Sequence, residues 1–129
     1  GLSFAYHNHE FEFEPTDGVV PYDILLADTD PSLVKMELDL YWATVGGQDP
    51  VAMFERHPGR FPLWHVKDAR GSGSTREQTA VGEGTIDFRR IFDHGSQAGV
   101  QHMFVEADEP ADPLALVRTS YENVRRLLG

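Results

Sequence analysis

The chain has 129 residues, with 11 Lys plus Arg against 21 Asp plus Glu and a formal net charge of −10. That balance excludes the basic face a phosphate backbone selects, so no nucleic-acid partner is expected. No apolar run approaches the ~20 residues of a membrane helix, no signal-peptide pattern opens the chain, and without cysteine neither disulfides nor thiolate metal sites can form. A cytoplasmic protein with no membrane partner is expected. The apolar run begins at Leu2 with no initiator Met before it, as if inside a strand, and predicts a piece of a longer protein.

The elements follow in order. Leu2 to His9 reads as a strand ending in polar residues. A turn at Thr16, Asp17 and Gly18 leads to a short helix from about Pro21 to Ala27. Val34 to Trp42 is the second strand, and Asp49-Pro50 supplies an N-cap and a first-turn proline for a helix through about His57. Phe61 to Asp68 is the third strand. Arg70 to Gly84 reads as a long loop; its Gly71-Ser72-Gly73-Ser74 run predicts mobility from Arg70 to Thr79 and closure over a substrate. Ile86, Phe88, Ile91 and Phe92 mark an amphipathic helix, and Gln101 to Asp108 is the fourth strand. Asp112-Pro113 opens the last helix, whose apolar stripe is Leu114, Val117, Tyr121, Val124 and Leu128.

Strands alternating with helices every 30 residues or so imply βαβ units and a parallel sheet. A full barrel takes eight units and ~250 residues, so the α/β reading is four βα units, half of a TIM (β/α)8 barrel, in one partial domain over residues 1–129. An open doubly wound sheet fits less well, because no Gly-rich phosphate turn follows the first strand. A half barrel leaves two raw edges and an uncovered interior, which predicts self-association or a need for the other half.

Each strand carries its ionisable residues at the C-terminal end, where ligands sit in parallel α/β sheets. They are His7, His9, Glu10 and Glu12; Glu37 and Asp39; His65, Lys67 and Asp68; and Glu106 and Asp108. With side chains alternating along a strand, one carboxylate or imidazole from each strand converges on a point. Such a mixed nitrogen and oxygen set suits Mn²⁺, Zn²⁺, Fe²⁺ or Co²⁺. Open coordination positions would bind a substrate's carbonyl and hydroxyl oxygens while a flanking carboxylate moves a proton through an enediolate. Gly82-Glu83-Gly84 resembles a phosphate cradle but reads better as a helix-entry turn. Tyr41 and Trp42 read equally as a platform for a sugar ring or as core. His57 and His94 read as solvated and His102 as structural.

The string Tyr6-His7-Asn8-His9-Glu10-Phe11-Glu12-Phe13 resembles the YHNHxxEF signature of sugar phosphate isomerase/epimerase-like proteins of the xylose-isomerase-like TIM-barrel superfamily. Leu38 to Trp42, Asp49-Pro50, His65-Val66-Lys67-Asp68, Val81 to Gly84 and Val105-Glu106 agree in order, so the resemblance covers nearly the whole chain. It implies that these are the last four strands of the barrel, the C-terminal half. It also implies a Glu, Asp, His, Glu quartet around one divalent ion, Mn²⁺ first, with Zn²⁺, Co²⁺ or Fe²⁺ as alternatives. Asp39, His65 and Glu106 take the last three places. Where many relatives carry a Glu in the strand this chain has His7, so the first place falls to Glu12 or to His7; Glu12 is favoured because it restores the carboxylate. The resemblance further implies Glu12 and Glu106 as the acid and base pair and Lys67 as a proton-handling group. His9 is an implied substrate contact, and His7, Tyr41 and Trp42 read as candidate substrate contacts beside it. The implied activity is metal-dependent isomerisation or epimerisation of a sugar or sugar phosphate. The alternatives are an inosose or keto-sugar dehydratase or lyase on the same site, or a degenerate barrel that only binds; an AP endonuclease is disfavoured by the charge.

Overall fold

The computed structural model describes residues 1–129 apart from Glu109, and for Ser74 the backbone alone. Four parallel strands form one sheet in the order β1 (Phe4–His7), β2 (Val34–Asp39), β3 (Leu63–Val66) and β6 (His102–Val105). Helices fill the connections: α1 (Pro21–Asp28), α2 (Leu40–Val45), α3 (Pro50–Arg56), α4 (Phe88–Asp93), α5 (Gly95–Ala98) and the closing α6 (Pro113–Leu128). Between β3 and β6 an antiparallel hairpin, β4 (Asp68–Arg70) with β5 (Glu77–Thr79), stands apart from the main sheet.

Alternation sorts the strand residues into two faces. Met36, Leu38, Trp64 and Val66 turn outward and are fully buried under the helices. Trp64 anchors that layer: its indole stacks on Phe54 at 5.1 Å between ring centroids and lies 6.2 Å from Phe92. Burying side chains of this size stabilises by roughly 1.5–3 kcal/mol each, enough to fix the sheet to its helices. The opposite residues, His7, Glu37, Asp39, His65 and Lys67, face the concave side.

The expected caps form. Asp49 accepts from Val51 N at 3.1 Å ahead of Pro50, and Asp112 accepts from Ala115 N at 3.0 Å ahead of Pro113. Three expectations change. The second strand ends at Asp39 rather than Trp42, because the Asp39 carboxylate accepts from Trp42 N at 2.9 Å and starts α2 there. Tyr41 and Trp42 therefore lie on a helix. Residues 70–79, expected as a loop, hold the β4–β5 pair with a short 3-10 turn at Gly73–Thr75. The apolar stripe of α6 is mostly uncovered: of its five residues only Val124 is buried, while Leu114, Val117, Tyr121 and Leu128 are exposed.

The hairpin and the entry to α4 are pinned by one carboxylate. Asp68 is buried and accepts from the backbone N–H of Ala69 (2.8 Å), Gly82 (2.9 Å), Gly84 (2.9 Å) and Ile86 (3.3 Å). The amides of Gly82 and Gly84 are thus spent on Asp68 and that of Glu83 on Ala80 O, so the turn presents no phosphate cradle. A Cβ on Gly84 would stand 2.1 Å from Asp68 Oδ1, which is why that position takes no side chain.

Candidate metal centre and active-site cleft

The strand ends bring three donors together. One ligand atom from each of His7, Asp39 and His65 lies within 4.8 Å of the other two. His7 Nε2 is 3.3 Å from Asp39 Oδ2, and the His7 and His65 rings lie 4.0 Å apart. The register explains the meeting, since His7 pairs with Glu37 and Asp39 with His65 across neighbouring strands. Asn8 fixes the approach from inside: fully buried, its Oδ1 accepts from Asp39 N at 3.0 Å.

Carboxylates surround His65. Its Nε2 faces Glu37 Oε1 at 2.7 Å and its Nδ1 hydrogen-bonds Glu106. Lys67, 1% exposed, directs its ammonium at three oxygens: Asp39 Oδ2 (3.1 Å), Glu106 Oε2 (3.1 Å) and Asp108 Oδ1 (3.0 Å). Burial alone would lower the Lys67 pKa, but the Asp39 charge and the bonds to Asp108, Glu106 and Asp39 outweigh it and hold the group above the usual lysine value. Burial likewise pushes Glu106 up, and bonds from His65 and Lys67 bring it below the ordinary carboxylate range. For Asp108, the bonds from Gln78 and Lys67 overcome burial in the same direction.

Two imidazoles and a carboxylate, flanked by further carboxylates whose negative charge Lys67 only partly offsets, are a donor set that fits a first-row divalent ion. Beside it opens a cleft of about 910 Å³, lined by His9, Tyr41, Trp42, Arg76, Gln78 and Asp108 among others. His9 stacks on His7 at 5.2 Å and lies 5.7 Å from Trp42, so the cleft adjoins the donor group directly.

The structure does not bring Glu12 to this group. Glu12 is buried, its Oε1 accepting from Tyr6 Oη at 2.6 Å and its Oε2 from His9 N at 2.8 Å. After Glu10 the chain turns into a short 3-10 helix (Phe11–Phe13) that carries the carboxylate away from the strand end. Asp39, His65 and Glu106 do converge, and His7 stands where the first carboxylate was expected. Glu37, Asp68 and Asp108, strand-end groups with no expected role, and Asn8 and Gln78, outside the expected set, also carry contacts here; Glu37 shares the inward face with Asp39 by simple alternation.

The fold and the sequence have known counterparts. No protein-family profile matches the chain. A crystal structure of a sugar phosphate isomerase/epimerase from Parabacteroides distasonis superposes with a TM-score of 0.78 at 31% identity, covering 98% of this chain and 47% of that one. An inosose dehydratase from Bacillus licheniformis is 30% identical over 94% of this chain and 47% of its own length. The rhizopine catabolism protein MocC of Rhizobium meliloti is 30% identical over 98% of this chain and 44% of its own. The chain is similar to the sugar phosphate isomerase/epimerase-like proteins of the xylose-isomerase-like TIM-barrel superfamily. It spans about half the length of the curated relatives it matches. The four-stranded sheet is thus half of such a barrel, with the donor group on its concave side. No helix among the described residues is long and apolar enough to cross a membrane.

The Tyr6–Glu12 pair gives a pH-dependent test. The hydrogen bond to Glu12, then burial, then the Glu12 charge push the Tyr6 pKa from 10.0 up to about 12. The folded chain therefore holds that proton more tightly than the unfolded chain, so its stabilisation is complete below pH 10 and fades as pH rises through 12. Tyr6→Phe leaves Glu12 one partner short and is expected to cost about 1–3 kcal/mol at neutral pH. In urea titrations it should also flatten the decline between these limits; an unchanged midpoint at pH 7 would remove this role for Tyr6.

Proposed function

We propose that the chain supplies the metal-binding and proton-transferring half of a barrel that dehydrates a keto-polyol of the inosose type. The observation that carries the reading is the His7, Asp39 and His65 group lying against the Lys67–Glu106 pair beside an open cleft. Several relatives named inosose dehydratase, at 26–30% identity, support the choice of dehydration. His7, Asp39 and His65 would hold the ion, with Glu37 and Glu106 beside them. When bound, the ion supplies Lewis acidity that polarises a carbonyl.

The remaining chemistry falls to the side chains. The Glu106 carboxylate, kept ionised by His65 and Lys67, takes the proton from the carbon next to the carbonyl. The C–H electron pair moves into the carbonyl to give an enolate, then returns to expel the hydroxyl one carbon further on. That hydroxyl takes a proton and departs as water, and the Lys67 ammonium is the buried acid that donates it. His9 and Trp42 at the cleft wall contact the ring. Glu12, held by Tyr6 and the His9 amide, takes no part in proton transfer and keeps the signature turn closed.

Isomerisation or epimerisation of a sugar or sugar phosphate is the second reading, favoured by the Parabacteroides distasonis structures at 31% and 33% identity. Both reactions begin with the same proton abstraction, so the product decides between them. Mn²⁺ is the ion proposed first, with Zn²⁺, Co²⁺ or Fe²⁺ alternatives of the same donor chemistry.

Elemental analysis of the purified chain should find about one such ion per site. His65→Ala should lose it and lower turnover of a keto-polyol at least about a hundredfold. Asp39→Ala should do the same and also loosen α2, whose first turn Asp39 caps. Full metal and full turnover in His65→Ala would overturn the site.

We also propose that the open flanks of the sheet are covered by a complementary barrel half, contributed by a second copy or by further chain. β1 and β6 have no second sheet partner among the described residues, and Leu114, Val117, Tyr121 and Leu128 lie exposed on α6. Sedimentation of the 129-residue chain should show species heavier than its 14.5 kDa, whereas a well-folded monomer would contradict covering by a second copy.

A further inference from the structure

We infer that Gln78, on the hairpin and not on a barrel strand, is a positioning residue that fixes Lys67 through Asp108. Gln78 lies on β5 opposite Ala69 of β4, so the hairpin carries its side chain over the end of β6. There its amide closes a two-bond ring with a single residue: Oε1 accepts from Asp108 N at 2.8 Å, and Nε2 donates to Asp108 Oδ2 at 2.5 Å. The other Asp108 oxygen, Oδ1, accepts from Lys67 Nζ at 3.0 Å.

The arrangement holds Lys67 in place from three sides. An ammonium has three N–H donors, and here each has one acceptor: Asp39, Glu106 and Asp108. At 1% exposure the side chain meets little solvent with which to exchange a partner, while its partners Glu106 and Asp108 are 39% and 36% exposed. Two of its acceptors are fixed by the sheet and its ends. Asp108 is different, since it follows β6 in irregular chain, and Gln78 is the side chain that holds both its backbone and its carboxylate among the described residues. The hairpin is in turn tied to the barrel at its base, where Asp68 gathers four backbone amides. Asp68, β5, Gln78, Asp108 and Lys67 therefore form one continuous set of contacts from the hairpin base to the ammonium.

The contribution to turnover rests on the proposed function; the contribution to Lys67 does not, and the test separates them. Gln78→Ala removes both bonds. Gln78→Glu keeps the acceptor for Asp108 N but sets a carboxylate against the Asp108 carboxylate. In both variants, NMR of the Lys67 ammonium protons should show exchange with water faster by about tenfold or more, while the amides of Leu38 and Trp64 in the core stay protected. Turnover of a keto-polyol should fall about tenfold in kcat, with KM and metal content unchanged, and further in Gln78→Glu than in Gln78→Ala. Unaltered Lys67 exchange in both variants overturns the inference whatever the kinetics. A rise in KM at constant kcat overturns it too, by making Gln78 a substrate contact on the cleft wall. Absence of turnover in the unmodified protein would instead count against the proposed function and leave the exchange measurement to decide.

Discussion

The site is organised around one carboxylate with no exposure to solvent. Asp39 Oδ1 caps α2 through Trp42 N, while Oδ2 meets both Lys67 and His7. Removing a charge wholly from water is costly unless it is paired and hydrogen-bonded. Here the pairing partners are the same groups that the candidate chemistry uses. Strand β2 must end where it does for the cap to form, and β1 must lie in register for His7 to reach. Lys67 must stay buried for the charge to be balanced. The position of Tyr41 and Trp42 in the cleft wall follows, since they belong to the first turn that Asp39 starts.

Several residues of the motif segments hold their neighbours in place. Of the signature segment, His7 joins the donor group, Asn8 grips the backbone of Asp39, and Glu12 closes the turn on Tyr6 and His9. Within His65-Val66-Lys67-Asp68 the roles divide along the alternation: His65 and Lys67 face the site, Val66 enters the core, and Asp68 gathers the glycine turn. Motif spacing fixes which residues recur together, but it does not separate a ligand from the group that orients it.

The parallel α/β order and the helix starts were legible because they rest on local signals: strand-length apolar runs, and Asp-Pro pairs that cap and open a helix. The change from strand to helix at Leu40 was not, since Leu40-Tyr41-Trp42 is as apolar and aromatic as a strand, and the deciding bond comes from a side chain. Likewise Ser72 and the neighbouring glycines read as a loop, while the β4–β5 pair depends on Asp68 and on the contact of Gln78 with a segment 30 residues away. The outward stripe of α6 has the right period for a buried face, yet the described residues offer nothing to cover most of it. In the candidate site, Asp39, His65 and Glu106, which the resemblance puts forward, lie close together at the strand ends, whereas Glu12 sits in the 3-10 turn after His9, whose direction spacing does not give.

Under the proposed function, two histidines from parallel strands, His7 and His65, would share one divalent ion with Asp39. Electron spin-echo envelope modulation of Mn²⁺ added to the chain, with ¹⁵N in its histidines, reads the coordinated imidazoles directly. Coupling to two histidine nitrogens is expected, one of which disappears in His7→Ala. Coupling to a single nitrogen, unchanged in His7→Ala, would contradict it and return the first ligand position to a carboxylate.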